Sequence, residues 1–78
     1  MLLESGGSQI SYTLVRGLAV LSVFPAGGRA RGVTEVATEL HMKTSTVHRL
    51  ITTLHALGYL ERDVDSREYR RLAGSLQV

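Results

Sequence analysis

The residues best suited to binding chemistry lie in one stretch, TSTVHRLITTLHALGYLERD, at residues 44–63. It holds hydroxyl side chains, a histidine and an arginine, and no acid occurs between positions 43 and 58. On a helix with about 100° of rotation per residue, its apolar side chains fall on one side and its polar ones opposite. Hydroxyls, a guanidinium and a helix N-terminus bind phosphates and base edges. The stretch therefore suits a negatively charged, hydrogen-bonding partner.

The two faces of this helix, expected over about residues 43–57, have different predicted roles. The buried face is expected to hold Val47, Leu50, Ile51, Leu54 and Leu57. The opposite face is expected to contact bases or phosphates through Ser45, His48, Arg49 and Thr52, with Lys43, Thr44 and Thr46 near the helix start. An ordinary solvated helix would mix acids and bases, because pairs four residues apart stabilise it. An uncharged, threonine-rich helix on a small soluble domain is the alternative interpretation of the helix alone.

Two helices must precede this one and position it. The first is expected over about residues 12–24, with Ser11 as N-cap and Pro25 as its stop. Its apolar stripe is predicted to contain Leu14, Leu18 and Leu21, broadened by Val15 and Val20. The second helix is expected to start at Thr34 as N-cap and to end near Leu40. The three residues HMK then form the turn of a helix-turn-helix.

A β-hairpin is predicted after the third helix. Gly58 suits the position that ends a helix, and the apolar period then changes from helical to two. The segments YLERD and EYRRL are the two strands, joined by residues 64–67. Arg67 at the tip and Arg70 in the second strand are candidate DNA contacts, although a salt-bridged hairpin is the alternative. The predicted fold is therefore mainly α, a winged helix-turn-helix with three helices followed by a two-stranded hairpin wing.

Length and composition agree with one small domain. The 78 residues divide into a leader, residues 1–10, expected to be flexible, a domain at residues 11–72 and a tail at residues 73–78. The formal charge is +2, and residues 43–78 hold six basic residues against four acids, which weakly favours a phosphate-bearing partner. Absence of cysteine excludes disulfides and thiolate metal sites and is compatible with a cytoplasmic setting.

Several other functions find no support in the sequence. The longest apolar run, residues 18–24, is too short to span a bilayer. His41, His48 and His55 recur every seven residues, but the last two would lie about 10 Å apart along a helix, too far for one zinc ion. No nucleophile, base and acid have a catalytic spacing. We therefore expect no enzyme activity, no metal site and no cofactor.

The string VTEVATELHMKTSTVHRLITTLHALGYLERD resembles the N-terminal DNA-binding domain of the isocitrate lyase regulator (IclR) family of bacterial transcription regulators. STVHRL and the following LGY and ERD are similar to that family's recognition helix and first wing strand. TLVRGLAVL resembles its first helix, and DVDSREYR its wing. The family often has Pro and Lys where this chain has Lys43 and Thr44, so the basic group is displaced by one residue.

The resemblance implies several properties beyond those of the residues themselves. Family members dimerise or tetramerise and bind palindromic operators, so the resemblance implies binding to double-stranded DNA and a homodimer in the full-length protein. Family members are usually about three times longer, and the effector ligand would need their C-terminal domain, which we expect to be absent from these 78 residues. The alternative function is a winged helix that mediates protein–protein interaction or dimerisation without DNA binding.

Overall fold

In the computed structural model, residues 9–26 and 28–72 are described. They form three helices and a hairpin: α1 (Tyr12–Ser22), α2 (Val33–Leu40), α3 (Thr44–Ala56), β1 (Leu60–Arg62) and β2 (Tyr69–Arg71). The predicted winged helix-turn-helix is therefore confirmed. Most of the predicted leader, residues 1–8, and the whole predicted tail, residues 73–78, lie outside the described residues.

Helix α1 begins as predicted and ends two residues early. The Oγ of Ser11 accepts a hydrogen bond from the backbone N–H of Leu14 at 3.2 Å, which caps the helix. The helix ends at Ser22 rather than near Phe24. Proline disfavours helical backbone in the residue before it, and Phe24, which precedes Pro25, instead places its side chain in the core. The helix therefore ends before Pro25, and the aromatic ring of Phe24 is buried.

The predicted apolar stripe of α1 is only partly correct. Val20 and Leu21, near the C-terminus of the helix, are buried. Leu14, Val15 and Leu18 are exposed, Leu14 by 61% of its surface. The helical spacing of these residues is real, but only the C-terminal half of the helix lies over the core. The N-terminal half therefore presents apolar side chains to solvent.

Helix α2 starts earlier than predicted and ends in an unusual turn. Its N-cap is Gly32, which has no side chain to cap the helix, and Thr34 lies inside the helix instead. Glu35 in the first turn interacts favourably with the helix dipole in place of a cap. At the other end, His41 adopts a left-handed conformation with φ 55°. The N–H of Met42 then reaches the carbonyl of Ala37 at 3.0 Å, which closes the helix and starts the turn to α3.

Helix α3 carries most of the predicted buried face. Val47, Ile51 and Leu54 are buried and Leu50 is half-buried. Leu57 was predicted to be buried but is 65% exposed, because the helix ends at Ala56 and Leu57 is already its C-cap. Gly58 follows with φ 90°, and its N–H donates to the carbonyl of His55 at 3.0 Å. The predicted role of Gly58 is therefore confirmed.

The wing is attached to the segment that joins α1 to α2. Strands β1 and β2 are antiparallel, with Leu60 opposite Arg71. On the other edge of β2, Arg31 and Tyr69 exchange two backbone hydrogen bonds of 2.7 and 2.9 Å. Ala26 makes a further, parallel bridge with Arg71. The segment between α1 and α2 therefore pairs with the wing and fixes its position relative to the helices.

Two arginines meet the C-terminal carbonyl groups of α1. Arg31 donates to the carbonyl of Val23 at 3.1 Å, and Arg71 donates to that of Leu21 at 3.3 Å. Helix α1 has no basic residue in its own last turn. Because the carbonyl end of a helix is partially negative, cations there are stabilising. Arg31 and Arg71 are themselves buried.

The hydrophobic core of the described residues comprises Val20, Leu21, Phe24, Val36, Ala37, Val47, Ile51, Leu54, Leu60 and Tyr69.

The two glycines next to α3 should respond oppositely to alanine. At Gly58 a Cβ would meet no atom within 4 Å, so Gly58→Ala tests only the positive φ and should cost about 1–2 kcal/mol of unfolding free energy. Gly17 lies inside α1, where a Cβ would make an ordinary contact with Leu50 at 4.0 Å. Gly17→Ala should therefore stabilise the domain by up to about 1 kcal/mol. Urea unfolding measures both, and equal changes for the two variants would contradict this account.

Candidate nucleic-acid interface

Seven of the nine predicted contact residues lie in α3 or at its N-cap. Thr44, Ser45, His48, Arg49 and Thr52 are exposed, Thr46 is half-buried and Lys43 is the exposed N-cap. Val47, Ile51 and Leu54 occupy the opposite side. The remaining two, Arg67 and Arg70, lie in the wing. The core thus fixes which side of α3 faces outward, as the sequence predicted.

Two threonine hydroxyls on this helix already have a hydrogen-bond acceptor. Thr52 donates its hydroxyl proton to the carbonyl of His48 at 2.8 Å, and Thr53 donates to that of Arg49 at 2.9 Å. A hydroxyl has one proton and two acceptor lone pairs. The Thr52 oxygen can therefore still accept a hydrogen bond, for example from an amino group, but its proton is already donated within the helix. The sequence alone did not show that Thr52 would act as an acceptor rather than as a donor.

The N-terminus of α3 lacks a side-chain cap. Lys43, the N-cap, makes no capping hydrogen bond from its side chain, and the first turn contains no acid. Capping by Ser, Thr, Asp or Asn normally satisfies one of the free N–H groups at this end. Here these N–H groups, the positive end of the helix dipole and the Lys43 ammonium are compatible with an anion such as a phosphate.

The wing tip is held by Asp63 and presents Arg67. The Oδ1 of Asp63 accepts from the N–H of Asp65 at 2.9 Å and from that of Ser66 at 3.2 Å. Arg67 is exposed, has a positive φ of 65° and donates its N–H to the carbonyl of Asp63 at 2.9 Å. This turn projects Arg67 at the end of the hairpin, where the sequence placed it.

Arg70 is engaged in ion pairs. Its Nη2 lies 2.7 Å from Oδ2 of Asp63, and its Nη1 lies 3.5 Å from Oε1 of Glu61. The salt-bridged hairpin that the sequence left as an alternative is thus present at this residue. The backbone N–H groups of Ser66 and Asp65, followed by the Arg70 guanidinium, hold the pKa of Asp63 below its usual value.

One basic residue near α3 was not among the sequence predictions. Arg16 is the single charged residue of α1, and it lines a surface cavity of about 330 Å³ together with Ser45, Thr46 and Arg49. The sequence feature that could have identified Arg16 is its position as one arginine in an otherwise uncharged helix. Its proximity to α3 depends on the packing of the helices and was not visible in the sequence.

The histidines form no metal site in the described parts of the chain. No group of three metal-ligating side chains occurs among residues 9–26 and 28–72. His55 places its Nδ1 3.0 Å from the carbonyl oxygen of Leu60. Its ring also packs edge-on against Tyr69, with ring centres 5.8 Å apart. His55 therefore links the end of α3 to both wing strands.

Among residues 9–26 and 28–72, no helix is long and apolar enough to cross a membrane.

Two kinds of comparison with known proteins, one with family models and one with solved structures, gave matches to the same family. Residues 13–64 match the IclR helix-turn-helix domain. The chain is also similar to a solved structure, an IclR family transcriptional regulator from Brucella abortus, with a TM-score of 0.75 and 36% sequence identity. This similarity covers 90% of the present chain and 26% of the other, so the chain spans about a quarter of the length of that regulator. Comparison with curated proteins gave no match.

The contacts of Asp63 predict an acid-sensitive wing. Because the pKa of Asp63 is lowered in the folded state, its ionised form stabilises the fold at neutral pH, and this contribution is lost as the pH falls through the lowered pKa. Asp63→Asn should lower the urea midpoint at pH 7 and flatten its decline below about pH 5. Asp65→Asn is the matched control, because the hydrogen bonds of this turn use its N–H and not its carboxylate. An unchanged acid profile in Asp63→Asn would contradict the assignment.

Proposed function

The chain belongs to the IclR helix-turn-helix family, and on this premise we propose that it binds double-stranded DNA in a sequence-specific manner. Membership confirms the resemblance predicted from the sequence and identifies a DNA-binding, non-enzymatic regulator domain. The proposal adds the mode of binding. Helix α3 enters the major groove, and the wing lies on the backbone or in the minor groove.

The observation that carries the proposal is the exposed face of α3. It presents Ser45, His48, Arg49 and Thr52 without a single acid. Four of the six acids among the described residues are paired elsewhere: Glu35 and Glu39 with Arg31, and Glu61 and Asp63 with Arg70. A helix of this composition meets little electrostatic repulsion from phosphates on either side of a groove. Arg49 is the residue on this face that can bind a guanine through two hydrogen bonds.

Roles are proposed for the remaining predicted contacts. Lys43, Thr44 and Thr46 lie at the uncapped start of α3 and bind phosphates there. Arg67 reaches the DNA from the wing tip. Arg70 must exchange or share its ion pairs with Asp63 and Glu61 to do the same, so it contributes less than Arg67.

The full-length regulator is proposed to act as a cytoplasmic homodimer on a palindromic operator, with an effector bound outside this domain. Two copies of one winged helix read two half-sites related by the same two-fold axis. The similar regulator from Brucella abortus is about four times longer than the matched region, which leaves room for such a second domain.

A protein-interaction module remains the second candidate, because one surface favours it. Leu14 and Leu18 of α1 and Leu57 beyond α3 are exposed along a mainly apolar groove of about 450 Å³. Exposed apolar patches mark interaction sites when they are contiguous. This surface lies on different residues from the polar face of α3, so a domain that dimerises and binds DNA would use both.

Fluorescence anisotropy on a random-sequence duplex tests the proposal. DNA binding should weaken steeply between about 50 and 200 mM salt, because each neutralised phosphate releases counterions. If the chain alone does not bind at the lower salt concentration, the same titration is repeated with the chain fused to a dimeric coiled coil. Absence of binding in both forms would reject DNA binding in favour of the protein-interaction module.

Substitution of Arg49 separates base reading from phosphate binding. On a duplex obtained by sequence selection, Arg49→Ala should cost about 1–3 kcal/mol of binding free energy, and the preference at one base position should be relaxed. On random duplex the loss should be smaller. An equal loss on both duplexes would show that Arg49 holds a phosphate, and a loss of less than a few tenths of a kcal/mol would remove it from the interface.

A further inference from the structure

Arg16 of α1 lies beside the start of α3 in a polar surface cavity. This cavity, of about 330 Å³, is also lined by Ser45, Thr46 and Arg49, all proposed to face DNA. Helices α1 and α3 pack together here, and a Cβ added to Gly17, the next residue, would make an ordinary contact of 4.0 Å with Leu50 of α3. The position of Arg16 is therefore set by the packing of α1 on α3.

A second cavity shares Arg16 and continues around the helix start. It has a volume of about 390 Å³ and is lined by Arg16, His41, Met42, Lys43 and Thr46. Together the two cavities bring the side chains of Arg16, Lys43 and Arg49 to one surface, and no carboxylate lines either cavity. Three cations without an acid form a locally positive surface that attracts anions.

The charge of Arg16 has no evident role in folding. Its side chain is exposed, and among residues 9–26 and 28–72 it forms no ion pair. By contrast, Arg29, Arg31 and Arg70 are each paired with an acid. Like charges gathered without acids disfavour the folded state slightly, so an anionic partner accounts for the cluster better than stability does.

We propose that Arg16 binds a backbone phosphate of the DNA strand that borders α3, so that the interface extends from the recognition helix onto α1. This inference rests on the proposed DNA-binding function and adds a positioning residue to it. A phosphate contact from α1 fixes how deeply and at what angle α3 enters the groove, because α1 and α3 are packed together. Such a contact carries no base preference of its own.

Salt titration of DNA binding by Arg16→Gln tests the inference. Loss of one phosphate contact should reduce the slope of log K against log salt concentration by about 0.9 on B-DNA. The reduction should be equal on a random and on a selected duplex. Arg29→Gln is the charge-matched control, because its side chain is 71% exposed, lines neither cavity and pairs with Glu35. Arg16→Lys should retain most of the slope, since lysine binds phosphate as a point charge.

The outcomes separate this inference from the function on which it rests. An unchanged slope in Arg16→Gln, with the wild-type chain binding normally, would overturn the inference alone. An equal reduction in Arg29→Gln would also overturn it, because the effect would then be one of net charge. If the wild-type chain failed to bind in any form, both the inference and the proposed function would be rejected. Urea midpoints close to wild type confirm that each variant is folded.

Discussion

The guanidinium of Arg31 holds together the elements that orient the recognition helix. Its side chain, 11% exposed, donates to the carbonyl of Val23 beyond α1, binds Glu35 through Nε and Nη2, and lies 2.6 Å from Glu39. Its backbone pairs with Tyr69 of the wing. The carboxylates of Glu39 and Glu35 raise the pKa of Arg31 above its usual value. A planar group with five donors in fixed directions suits such a junction, because it bonds several acceptors at once.

This junction also determines where negative charge is placed in the domain. Glu35 and Glu39 are drawn to Arg31 on the side of α2, and the Arg31 guanidinium lowers the pKa of Glu35. In the wing, Arg70 retains Asp63 and Glu61 in the same manner. The arginines that stabilise the fold thus pair with four of the six acids in the described part of the chain, where Arg16, Lys43 and Arg49 form no ion pair. A small net charge of +2 therefore conceals a strongly divided surface.

The parts of the molecule that follow from local pattern were predictable, and those that depend on distant partners were not. Periodicity gave α3, and Gly58 gave its end, because both depend on neighbouring residues. The pairing of Arg31 with Tyr69 joins segments 38 residues apart, and no local signal marks it. The exposure of Leu14 has the same origin, since helical spacing indicates a face but not whether another element covers it.

The same distinction applies to the candidate site. The acid-free face of α3 was visible because a helix places every third or fourth residue together. The ion pairs of Arg70 depend on the hairpin turn that brings Asp63 back to it, and the position of Arg16 depends on the packing of α1 against α3. Residues on one regular element are therefore predictable as a group, whereas the state of each charge requires the tertiary structure.

The hydrogen bonds from Thr52 and Thr53 to their own helix have an entropic consequence. Each one fixes the χ1 angle of its side chain before any partner arrives. Ordering a mobile side chain on association costs about 0.5–1.5 kcal/mol, and a threonine that is already fixed avoids most of that loss. Arg49, with its long stem, has to be ordered by the partner. The exposed surface of α3 thus combines rigid threonine side chains with one flexible arginine. The threonines favour a partner of complementary shape, and Arg49 can adjust its conformation to that partner.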